Sequence, residues 1–155
     1  MRRVVVVLAL VVLGVGCSQG SAVRTASSSS SAAPLPASTP PADVVRAYLQ
    51  ALNDHDTVLA KRFLTADHAA LEASAADSWF TNVRTITNIH TSATPCASYC
   101  SSSASGYQQT SHVDAEFDLQ QVQMGSFNDG HNHWGYSLGR DSDADMWLIV
   151  DEGAG

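Results

Sequence analysis

The sequence predicts an α+β domain in which short helices come first and pack on an antiparallel sheet. Three observations predict it. Apolar residues between Val44 and Leu52 recur at helical spacing. A strict two-residue alternation occupies His112 to Leu119, and an apolar run, Met146 to Val150, follows a polar turn. Helices followed by a group of strands, rather than alternating with them, is the order of an α+β arrangement.

The first element is an export segment. Arg2 and Arg3 form a positive start, and the largely apolar run Val4 to Val15 follows. That run is shorter than the roughly 20 apolar residues a membrane span requires. It ends in Leu13-Gly14-Val15-Gly16-Cys17, small residues immediately before a cysteine. This segment resembles the lipobox of bacterial lipoproteins, although that pattern prefers Leu three residues before the cysteine and Gly14 stands there. The resemblance implies that residues 1–16 are a lipoprotein signal peptide removed before Cys17. It also implies that the Cys17 sulfur carries diacylglycerol with acyl chains such as palmitate, so that the protein is lipid-anchored outside the cytoplasm of a bacterial cell. The alternative is an ordinary signal peptide cut near Gly16 or Gly20, releasing the chain.

Residues 17–40 read as a tether. Ser18 to Pro40 is rich in Ser, Ala and Pro and carries one charge, Arg24. Such a composition cannot build a core, and as a flexible coil it spans on the order of 25 Å. The domain is expected over residues 41–155, long enough to bury roughly two-thirds of the surface its unfolded chain exposes.

Within it, Pro41 and Asp43 suit a helix start, and Val44, Val45, Tyr48, Leu49 and Leu52 make one stripe. Asn53 to Asp56 is a turn, with Asp56 or Thr57 able to cap a second short helix carrying Val58, Leu59, Phe63 and Leu64. A third, Ala-rich helix is expected around Ala69 to Ala76. Asn82 to Thr91 suits a strand, being rich in Thr, Val and Ile. On the next, Val113, Ala115, Phe117 and Leu119 share one face and His112, Asp114, Glu116 and Asp118 the other. Asn128-Asp129-Gly130 marks a turn, Trp134, Tyr136 and Leu138 alternate, and Asp141 to Asp145 turns the chain into a final strand over Met146–Val150. Trp134 and Trp147 are both expected to be buried.

The opening helix Val44–Asp56 and the closing pair Trp134–Leu138 and Trp147–Asp151 resemble NTF2-like domains, the cone-shaped fold shared with SnoaL-like and ketosteroid-isomerase-like proteins. The resemblance is vague from Ala66 to Tyr107. It implies helices packed on a curved antiparallel sheet around a cone-shaped pocket. The family's catalytic residues do not map onto matching positions here, so no catalytic residue is assigned.

Charge narrows the function. The chain has 8 Lys and Arg against 15 Asp and Glu, and loss of Arg2 and Arg3 with the signal leaves six against 15, a net charge of −9. A surface this acidic repels nucleic acid and anionic headgroups, so attachment to the membrane rests on the lipid alone. Among the three cysteines, Cys96 and Cys100 are expected to pair as a disulfide, the favoured state of neighbouring thiols after export.

Two constellations have the chemistry of metal ligands. Asp141, Asp143 and Asp145 with Glu152 match the oxygen spacing of a calcium loop, but Met146 occupies the position that needs Gly. His131 and His133 share a face of an extended segment, with His112, Asp114 and Glu116 on a neighbouring strand. The expected reading is a solvated turn for the first and polar surface for the second, with no metal and no other cofactor. The row Asp114, Glu116 and Asp118 is expected to face water, because three carboxylates on one dry face repel each other. These residues predict a non-enzymatic binding or interaction domain at the cell envelope, its partner a small apolar ligand or an envelope protein. The alternatives are an enzyme of the SnoaL or isomerase type and a purely structural envelope protein.

Overall fold

In a computed structural model, which describes residues 35–96, 102–125 and 127–154, the chain is α+β. The first helix, α1, covers Pro41–Asn53, with Pro41 in the first turn, where its missing N–H costs nothing. Its buried residues, Val44, Val45, Tyr48, Leu49, Ala51 and Leu52, form the predicted stripe. His55, at φ 56°, and Asp56 end the turn after it, and Asp56 Oδ1 accepts the Leu59 N–H at 2.9 Å to cap α2, Thr57–Lys61.

This second helix is shorter than the periodicity predicts. Phe63 and Leu64 are buried but lie beyond it, and Val58 is 67% exposed. The cause is a pairing that no local pattern shows. The Ile149 N–H donates to Phe63 O at 2.8 Å and the Thr65 N–H to Ile149 O at 2.9 Å, so residues 63–65 run beside the final strand. Thr65 Oγ1 then caps α3, Ala66–Ser74, displaced towards the N-terminus from the predicted span. One further short helix, α4 (Trp79–Asn82), takes Asn82 from the predicted first strand, so that the strand starts at Val83. Its buried Asn82 bonds Gln121 by side chain and takes the Gln123 N–H, tying α4 to the sheet.

The sheet has four antiparallel strands in the order β1-β2-β3-β4: β1 Val83–Pro95, β2 Gln109–Gln121, β3 Gly130–Arg140 and β4 Leu148–Ala154. It is curved and not closed. Breaks of register on β1, where Asn88 has φ 54°, and between β3 and β4 are the bulges that bend it. Gly130, at φ 105°, makes the turn into β3 that Asn128-Asp129-Gly130 predicts. Val113, Ala115, Phe117 and Leu119 face the helices as the alternation requires, joined by Tyr136, Leu138 and Ile149. The Tyr48 and Tyr136 rings meet edge-on at 6.1 Å, the preferred geometry for an aromatic pair.

The final strand begins later than Met146 and runs further, to Ala154. Trp147, just before it, is 8% exposed under the Arg140 guanidinium, 4.5 Å away. Trp134 is only half-buried, which corrects the expectation that both are enclosed. The last part of the stretch expected as tether lies on the domain: Leu35 packs against the core and Ala37 O accepts from Arg140 at 3.2 Å. Among the described residues no helix is long and apolar enough to cross a membrane.

Candidate functional site: a buried acid–base pair beside an aromatic wall

Four polar side chains meet in the interior between α3 and the last two strands. The third helix carries His68 on its only buried position. Glu152 reaches the same place because of the bulge in β4. Ile149 pairs with Leu138 and Asp151 with Ser137, so Val150 is the extra residue and Glu152 falls opposite Tyr136 on the inner face. Tyr48 adds its ring from α1. His68 Nε2 lies 3.5 Å from Glu152 Oε1, and their side chains are 7% and 5% exposed. At that separation the contact lies outside hydrogen-bond geometry and becomes an ion pair when the imidazole is protonated and the carboxyl ionised. Among the described residues, neither oxygen of Glu152, nor His68 Nε2, nor either tyrosine hydroxyl has a hydrogen-bond partner.

Burial and mutual charge set the protonation of this group. It pushes the Glu152 carboxyl up from its ordinary value, and the neighbouring imidazole only partly offsets it. For His68 burial pulls down, but the contact and negative charge of Glu152 outweigh it and the net direction is upward. Burial, and next the Glu152 charge, holds both phenols well above the usual tyrosine value, so Tyr48 and Tyr136 remain O–H donors. The pair titrates as a unit. It can hold or release a proton on side chains that are themselves almost fully buried.

The pair opens onto a cleft of about 340 Å³ under α3. One wall is aromatic: Phe127 sits 4.6 Å from Trp134 and 4.8 Å from Trp79, ring centre to ring centre. Trp79 also meets Phe117 at 6.0 Å, which joins this wall to the core. The opposite side carries His68, Leu71 and Glu72, and Glu72 holds the floor in place by accepting the Trp79 N–H. An apolar wall facing a few convergent polar groups is the usual composition of a small-molecule site.

The residues singled out from sequence fall elsewhere, with one exception. Asp141, Asp143 and Asp145 lie in an exposed turn, where Asp143 accepts from Arg140 at 2.6 Å and Asp145 from Ser142 at 2.6 Å. Glu152 is separated from that run by its place on the inner face of β4, so the four do not form one loop. Among the described residues no group of three or more His, Cys, Asp or Glu is arranged to hold a metal ion. His131 and His133 are on the outer face of β3, 3.4 Å from Asp118 and 3.5 Å from Asp114. His112 shares Asp114 at 3.3 Å, and Asp114 and Asp118 are 37% and 40% exposed in this water-facing row. Cys96 is disulfide-bonded, while Cys100 and Cys17 lie outside the described residues.

Sequence reasoning missed His68 altogether and placed Glu152 in the wrong constellation. A signal for the first was present: His68, Leu71 and Glu72 are spaced i, i+3, i+4 in an otherwise Ala-rich helix and share a face. Compared with protein-family models, with curated proteins and with solved structures, the chain matches none.

Proposed function

We propose that this protein is an extracytoplasmic lipoprotein, anchored through Cys17, whose NTF2-like domain binds a small organic molecule in the cleft beneath α3. The observation that carries the reading is the buried His68–Glu152 pair, without hydrogen-bond partners, beside the Trp79–Phe127–Trp134 wall. Burying two titratable side chains and two phenols lowers stability unless they are satisfied. A ligand that donates to Glu152 and lays an apolar body against the rings offsets that cost. The α+β order and the curved sheet support the NTF2-like assignment, and the export segment supports the anchor.

A second reading has a specific observation in its favour. A carboxyl raised by burial and an imidazole raised by that carboxyl are suited to proton transfer, which is the chemistry of an isomerase-type enzyme. In that reading Glu152 or His68 moves the proton and the Tyr136 hydroxyl stabilises developing negative charge.

A thermal-shift screen of small organic molecules tests the site. A native-state ligand at a hundredfold excess over its Kd raises stability by about 2.7 kcal/mol. Compounds that use the cleft should raise the melting temperature of the wild-type protein and not of Trp134→Ala. Shifts that persist unchanged in that variant would place binding elsewhere.

A further inference from the structure

We propose that the cleft under α3 selects an organic cation, an ammonium group carried on an apolar or aromatic body. The proposal rests on the cleft being the ligand site and adds the chemical class that it takes.

The lining has an unbalanced charge. Glu72, Asp77, Asp151 and Glu152 contribute four carboxyl groups and His68 one imidazole, and among the described residues no Lys or Arg lines the cleft. Of these, Glu152 is the innermost and the least satisfied. Its side chain is 5% exposed, it lines the cleft, and neither oxygen has a hydrogen-bond partner among the described residues. A buried carboxylate in that condition asks for a donor, and a charged donor answers best, because a charge-assisted hydrogen bond is about twice as strong as a neutral one.

The rings supply the second half of the recognition. Trp79, Phe127 and Trp134 pack against one another at 4.6 to 6.3 Å and line one side of the cleft as a continuous wall. Indole faces attract a cation through the ring quadrupole and also cover an apolar body. An ammonium group between this wall and Glu152 would exchange its water for a carboxylate and π faces. An anionic ligand would meet like charge at the Glu72, Asp77, Asp151 and Glu152 carboxyl groups, and its donors in the lining would include the Ser74 hydroxyl, the Trp134 Nε1–H and His68, which Glu152 already engages. The net charge of −7 adds a long-range field of the same preference.

Three probes of one shape separate this proposal from the reading beneath it: 2-phenylethylammonium, 2-phenylethanol and 3-phenylpropionate. Each is titrated into the full chain in a non-ionic detergent, at low salt, with tryptophan fluorescence as the readout. The ammonium should bind at least about tenfold more tightly than the alcohol, the carboxylate more weakly still, and added NaCl should weaken the ammonium alone. Glu152→Gln should remove most of the ammonium's advantage over the alcohol. Should that variant not fold, Glu72→Gln should reduce the same advantage by a smaller factor. Equal binding of all three, or tighter binding of the carboxylate, leaves the cleft a ligand site and overturns its preference for cations. Binding of none of the three overturns both.

Discussion

Glu152 and His68 couple protonation to folding. Both have folded-state values above the ordinary ones, 4.5 for the carboxyl and 6.5 for the imidazole. The folded chain therefore binds more protons than the unfolded chain once the pH exceeds those values. Stability from the pair is fully present below them and is lost as pH rises through the folded-state values. The melting temperature should fall as the pH is raised from 6.5 towards 8. Glu152→Gln removes the carboxylate that holds the imidazole proton, so the decline should vanish or reverse. Parallel pH profiles for the two proteins would show that the pair is not coupled to folding. The two tryptophans of the last strands should behave differently from each other. Trp147→Ala removes a ring that is 8% exposed and stacked under Arg140, and should cost about 3–5 kcal/mol in chemical denaturation. Trp134 is half-buried in the cleft wall, so Trp134→Ala should cost less and act chiefly on ligand binding. Equal losses would contradict that division.

At the scale of elements, close approach decides one position sharply. A Cβ on Gly139 would overlap the Tyr107 ring, which lies directly on β3. Gly139→Ala should lower stability by about 1–3 kcal/mol as an overpacked site does. Gly153→Ala on β4, where an added Cβ meets nothing within 4 Å, is the control and should be close to neutral. The elements legible in the sequence were those whose pattern is local. The α1 stripe, the alternation on β2 and the Asn128-Asp129-Gly130 turn each follow from spacing within a few residues, and each is present. What escaped depends on distant partners. Residues 63–65 leave the helical pattern because they pair with Ile149, more than 80 residues away. The site escaped for the same reason. Simple alternation from Trp147 and Ile149 would put Asp151 inside, and the bulge at Val150 puts Glu152 there instead.

For the whole molecule, the proposed anchor and the proposed binding site are tested by separate experiments. Expressed at full length in a bacterial host, the protein should fractionate with membranes, and Cys17→Ala should not. Identical distribution of the two would remove the lipid anchor from the account and leave the cleft untouched. The cleft itself is the central claim, and native mass spectrometry tests it most directly. Full-length protein would be isolated from its host in a mild detergent and measured alongside Glu152→Gln and Trp134→Ala. The account predicts a small-molecule adduct on the wild-type protein, of organic-cation mass, that both substitutions diminish. A wild-type protein free of any adduct, or an adduct that both variants retain in full, would contradict it.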